Sequence, residues 1–146
     1  MFTVSINPSY FCNFRCDFCY LKKDYFYGLK DTIRKHYADE INIITNYSML
    51  HDGFYDEDVY LSVSYDFEAR EKSDLVYKNM LMSPVPVAVL ILATPEVINK
   101  DVEEMITMLN MCSSIDSVEI KPYSINQANA FNVTHKQFED FVIKWI

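Results

Sequence analysis

A chain of 146 residues that is 50% hydrophobic and carries 22 aromatic side chains can build a core within a single domain, residues 1–146, which excludes disorder. Its formal charge of -8 removes the basic face that a nucleic-acid backbone requires, and no apolar run reaches membrane-spanning length. Only Gly28 and Gly53 are present where average usage would give about ten, so neither a phosphate-cradling P-loop nor a dinucleotide GxGxxG exists here.

Residues 2–6 alternate apolar and polar side chains and stop at Asn7-Pro8, as a short strand followed by a turn would. The stretch that follows holds Cys12, Cys16 and Cys19, three of the four cysteines, within eight residues. Three chemistries compete for it. A disulfide would strand one thiol, and no secretory signal opens the sequence to support an oxidising compartment. Structural zinc needs a fourth ligand, and His36, His51 and His135 have no ligand-like spacing. An iron-sulfur cluster can be held by three thiolates, with one iron left for an exogenous ligand. The expected location is the cytoplasm, where thiols and clusters survive.

With Phe18 directly before the last cysteine, the spacing CxxxCxxC after a first strand resembles the signature of the radical S-adenosylmethionine (radical SAM) enzymes. The resemblance implies that Cys12, Cys16 and Cys19 are the metal ligands of a 4Fe-4S cluster, with Phe18 beside the cofactor. The fourth iron would take the amino and carboxylate groups of S-adenosylmethionine. It also implies reductive cleavage of that cofactor to methionine and a 5′-deoxyadenosyl radical, an electron donor, and hydrogen abstraction from a small-molecule or peptide substrate. The neighbouring Tyr10, Phe11, Phe14 and Tyr20 read as core.

Further along, the polarity pattern of residues 30–40 predicts a helix and residues 41–45 a buried strand ending at Asn46. Residues 43–50, IITNYSML, resemble the "TN" strand end of peptide-modifying radical SAM proteins. An acidic loop, expected to be solvated, covers residues 51–58. Residues 59–65 alternate cleanly, which predicts a strand, and its exit carries Asp66, Glu68 and Arg70. The family has an S-x-D strand end at this point, so the resemblance assigns Ser64, Asp66 and Arg70 to the methionine moiety and ribose of the cofactor. A surface ion-pair cluster would account for the same residues.

A helix over 73–82 leads to the aliphatic run 85–93, the composition of a strand covered on both faces of a parallel sheet. Thr94-Pro95 closes it, and a helix over 100–111 turns Val102, Ile106 and Leu109 inward, with Cys112 as a buried small hydrophobe. A strand over 118–122, a polar loop over 123–132 and a helix opened by a Thr134/Gln137 capping box complete the chain. Phe138, Phe141 and Val142 are its expected buried face.

The fold class expected is α/β, a mostly parallel sheet of about five strands with crossover helices. By resemblance it is a shortened partial (β/α) barrel of radical SAM type. Its site is then expected at the carboxyl ends of the strands, with backbone groups near Thr94 and Lys121 contributing to cofactor binding. Run 85–93 should be interior to the sheet and run 59–65 nearer an edge. One family feature is missing: no Gly-Gly-Glu-Pro-like run exists, and only 21 residues separate Cys19 from Ile41. A shortened sheet leaves an open edge that a partner would cover. The missing run also motivates a second reading, a degenerate, non-catalytic metal- or cluster-binding interaction module. A third is a fragment whose missing parts lie beyond Ile146.

Overall fold

The aliphatic run forms β4, Val87–Ala93, and parallel strands flank it on both sides. The computed structural model describes residues 3–6, 40–50, 52–55, 57, 59–122 and 133–146. Its strands are β1 (Thr3–Ile6), β2 (Glu40–Thr45), β3 (Val59–Ser64), β4 and β5 (Ile115–Pro122), ordered β1-β2-β3-β4-β5 with every pairing parallel. The helices are α1 (Ser73–Leu81), α2 (Pro95–Ile98), α3 (Val102–Asn110) and α4 (His135–Ile143). The chain is therefore α/β around a parallel sheet.

Alternation gives this sheet two unlike faces. In register across the strands, Ile43, Leu61 and Val87 share one face, as do Val63 and Val89. That face is buried and packs in one cluster with Val76 and Met80 of α1, Val102, Met105 and Leu109 of α3, and Phe141 of α4. The opposite face is mixed: Asn42, Tyr60, Ser62 and Ser64, with Ser117, Glu119 and Lys121 on β5, share it with Ile44, Ala88, Leu90 and Leu92.

This second face corrects the expectation that residues 59–65 lie near an edge, because β3 is the middle strand. Its polar residues alternate for a different reason: they lie on the face opposite the core, where Ser62 and Tyr60 reach polar partners on other strands. Ser62, only 3% exposed, donates to Asn42 Oδ1 at 2.9 Å across the β2–β3 pair. The Tyr60 hydroxyl donates to Asp116 Oδ1 at 3.0 Å, bridging β3 to β5. Asp116 is in reach because β5 carries an irregularity there: Val87 pairs Ile115 and Ala88 pairs Ser117, leaving Asp116 extra. The same slip breaks the alternation of residues 115–117, so the sequence pattern marks β5 only from residue 118. At one edge of the sheet lies β5, with Val118 39% exposed.

Two further boundaries differ from expectation. Glu40 opens β2 instead of closing a helix, and the rest of the 30–40 segment lies outside the described residues. The helix over 100–111 starts only at Val102, because Asp101 is its N-cap and accepts from the N–H groups of Glu103 (2.9 Å) and Glu104 (3.3 Å). Ahead of it, Thr94 caps the extra helix α2, with Pro95 in its first turn. The Thr134/Gln137 capping box of α4 forms as expected, and Phe141 is buried while Phe138 and Val142 are half-buried.

The β2–β3 crossover is the unusual connection. Among its described residues the one helical element is a 3-10 turn, Asp52–Tyr55, and Tyr47 fills the helix layer instead. Tyr47 is fully buried, its hydroxyl donates to Ser83 Oγ at 3.1 Å, and its carbonyl accepts from Asn79 Nδ2 at 2.8 Å. Phe54 packs on its ring at 6.1 Å, so this segment is not simply the solvated loop its acidity predicts. Burial pushes the Tyr47 phenol up to about 12.

Truncating Leu61, fully buried at the centre of β3, should cost about 2–5 kcal/mol as Leu61→Ala. Val118→Ala on exposed β5 should stay within about 0.5 kcal/mol. Urea unfolding midpoints check both.

Candidate functional site at the carboxyl rim

Because every strand runs the same way, Ile6, Thr45, Ser64, Ala93 and Pro122 end on one rim of the sheet. The β3 exit is its most constrained part. Tyr65 N–H still donates to Leu90 O at 3.0 Å, and then the backbone turns away at Phe67, whose φ is 53°. Asp66 replaces the lost ladder acceptor with its side chain, as Oδ1 takes the Leu92 N–H at 2.7 Å. The other oxygen, Oδ2, receives Arg70 Nε at 2.9 Å and also Nη2. Asp66 is fully buried and the Arg70 side chain 12% exposed, so this is not the surface ion-pair cluster that the composition alone would allow.

Left-handed backbone at a bulky residue costs roughly 1–2 kcal/mol. Phe67 offsets that by burial: it is 1% exposed and its ring lies 4.9 Å from that of Tyr65. Tyr65 in turn stacks on Tyr77 at 6.2 Å. The rim is thus held from beneath by aromatic packing and from the side by a carboxylate.

The other sequence-predicted residues reach the same rim in different states. Ser64 is half-buried on the face opposite the core, at the last β3 position paired with β4. Thr94, 5% exposed, accepts from Val97 N–H at 3.3 Å and so caps α2. Lys121 is 50% exposed and pairs with Glu119 Oε1 at 3.3 Å, a solvent-screened contact. Thr45 and Asn46 shape the turn after β2: Thr45 Oγ1 accepts from Tyr47 N–H at 3.0 Å, and Asn46 Oδ1 accepts from Ser48.

Glu119 was not singled out by sequence, yet it is in register with Leu90 and Ser64 across β4 and so shares the face opposite the core with Ser64 and Lys121. The i, i+2 spacing of Glu119 and Lys121 on a strand is the signal that identifies it. Outside the rim, Glu68 pairs with Lys100, whose ammonium holds the Glu68 carboxyl below its ordinary value.

Cys12, Cys16, Phe18 and Cys19 lie outside the described residues, as does the loop 123–132. Among the described residues no group of three or more His, Cys, Asp or Glu side chains is arranged to hold a metal ion. Cys112 is 2% exposed and sits three residues before β5, at the amino-terminal rim, in the role of buried small hydrophobe that its sequence position implied. Burial pushes its thiol up, partly countered by the Tyr77 hydroxyl. Among the described residues, no helix is long and apolar enough to cross a membrane.

Asp66→Ala should cost about 3–5 kcal/mol, since it removes the carboxylate partner of a largely buried guanidinium and leaves the Leu92 N–H without its acceptor. Asp66→Asn keeps an acceptor for Leu92 and should cost less, a ranking that chemical denaturation resolves. A second expectation concerns Cys112. At pH 8 its raised thiol should resist iodoacetamide in folded protein and react once the chain is denatured, as read by peptide mapping.

The architecture is similar to that of Streptococcus suis SuiB in its crystal structure bound to S-adenosylmethionine. The TM-score is 0.67 at 14% sequence identity, and the match covers 99% of this chain and 47% of that one. This chain therefore spans about half the length of that protein, and at such identity the likeness is one of fold. No family model and no curated protein matches the sequence.

Proposed function

We propose that this chain is a shortened radical SAM-type domain, a cytoplasmic iron-sulfur protein that binds S-adenosylmethionine at the carboxyl rim of its sheet. The observation that carries the reading is the CxxxCxxC stretch starting six residues after Ile6, where β1 ends on the rim that also carries Ser64, Asp66 and Arg70. The fold likeness to a protein bound to S-adenosylmethionine supports it.

The donor set suits a 4Fe-4S cluster. Cys12, Cys16 and Cys19 supply three soft ligands, and the fourth cysteine is at the opposite rim, which would leave one iron open. When bound, the cluster and S-adenosylmethionine supply a 5′-deoxyadenosyl radical that abstracts a hydrogen atom from a substrate, for which a peptide is the first candidate. The chain's own residues do the holding. Phe18 packs beside the cofactor, and Ser64, Arg70 and Lys121 contact its polar groups. Asp66 fixes the direction of Arg70, and Thr94 fixes the chain turn after β4. An electron donor is a required partner, and a second protein covers the exposed β5 edge.

The missing Gly-Gly-Glu-Pro-like run favours one alternative, a non-catalytic metal-binding interaction module. Anaerobic reconstitution with iron and sulfide, followed by reductant and S-adenosylmethionine, separates the two. The enzyme reading predicts 5′-deoxyadenosine well above a Cys16→Ala control. Anaerobically purified protein holding one zinc and no iron, with no 5′-deoxyadenosine formed, would instead identify the module.

A further inference from the structure

On the outer side of the rim, a cavity of about 290 Å³ opens between the turn after β3 and the start of α3. Its apolar lining comes from Phe67, Met105 and Met108. Glu68, Asp101 and Glu104 supply three carboxylates and Lys100 one ammonium. The ammonium is already engaged by Glu68, so the lining keeps two carboxylates in excess.

Three occupants can be ranked by chemistry. An anion would find the start of α3 already capped by the Asp101 carboxylate, with Glu104 beside it, and this net negative charge outweighs a dipole end of about half a unit charge. A bare metal ion needs converging ligands, and the described residues contain no such group. A group with an apolar stem and a cationic head satisfies both parts of the cavity, with the stem on Phe67 and the two methionines and the head among the carboxylates. The volume limits it further. Pockets for drug-sized ligands run about 300–1,000 Å³, so a cavity at the bottom of that range takes one extended side chain. The formal charge of -8 on the whole chain would attract a cationic partner at long range.

We propose that this cavity is a docking pocket for a single lysine or arginine side chain of a basic peptide segment. Phe67 and Glu68 directly follow Asp66, so a peptide anchored there is tethered next to the rim. The inference does not require the cluster, and its test uses the protein without it.

The test is an NMR titration of the full chain, labelled with 15N and with 13C at the methionine methyls. The probes are acetyl-Leu-Lys-Leu-amide and acetyl-Leu-Arg-Leu-amide, with norleucine and glutamate at the central position as controls. The expected result is saturable shifts of the Met105 and Met108 methyls and of the Glu68 and Glu104 amides with the lysine and arginine peptides. Raising sodium chloride from 50 to 500 mM should weaken them. Glu104→Lys, an exposed change that leaves the Asp101 cap intact, should weaken binding at least tenfold. Equal shifts with the norleucine peptide, shifts confined to other surfaces, or binding unchanged in Glu104→Lys would each overturn the proposal.

Discussion

Where β3 leaves the sheet, one buried carboxylate does what backbone cannot. The ladder between β3 and β4 ends at the Tyr65 N–H to Leu90 O bond, and the Leu92 N–H would then be buried without an acceptor. An unpaired amide of that kind costs on the order of 1–3 kcal/mol. Asp66 accepts a hydrogen bond from that N–H with one oxygen and from the Arg70 guanidinium with the other. A carboxylate in a dry site is tolerated only when both its charge and its lone pairs are matched. Strand termination, the reversal at Phe67 and the placement of Arg70 are consequently one event, and none can shift without exposing the others.

The two faces of the sheet divide the labour. Helices cover the aliphatic face, and stability resides there, in Leu61, Val63, Val89 and their partners on α1 and α3. The opposite face mixes polar and aliphatic side chains, some of them paired across strands, such as Ser62 on Asn42, and it runs up to Ser64 at the rim. Such cross-strand bonds add little net stability, because each replaces one with water. Together with Leu90 and Leu92 they give this side of the sheet both polar and apolar groups, which is what a ligand of mixed polarity needs.

Much of the fold was legible because the sequence uses strong local signals. The aliphatic run 85–93 has the composition of an interior strand and forms one over 87–93, and the Thr134/Gln137 capping box fixes the start of α4 to the residue. Errors arose where two causes give one pattern. Alternation in 59–65 marks an exposed edge or polar side chains paired across strands, and periodicity alone does not separate them; the Ser62–Asn42 bond does. Residues 115–117 lost their strand signature to a one-residue slip at Asp116. Helix α2 was hidden because Thr-Pro reads as a stop, whereas Thr at the cap and Pro in the first turn also read as a start. At the rim, Ser64, Asp66, Arg70, Thr94 and Lys121 could be named from position. Their states could not, since whether a carboxylate is free or consumed depends on a partner such as Leu92, 26 residues away.

Glycine scarcity connects these features. Three described residues other than glycine have positive φ: Tyr47, Phe67 and Lys72, at 52°, 53° and 59°. Glycine would adopt these angles freely, but it would leave no side chain to hold the bend. Tyr47 and Phe67 are instead among the most buried residues, so each reversal is locked by the ring that it carries inward. Two of these reversals, at Tyr47 and Phe67, follow directly on strand ends at the carboxyl rim. A rim turned by bulky residues lets a ligand approach bare backbone less closely than one turned by glycine. Under the proposed function this has a direct consequence. A chain without a glycine-rich segment must recognise its cofactor through side chains, which shifts the demand for precision onto the group whose orientation is most fully determined, the Asp66–Arg70 pair.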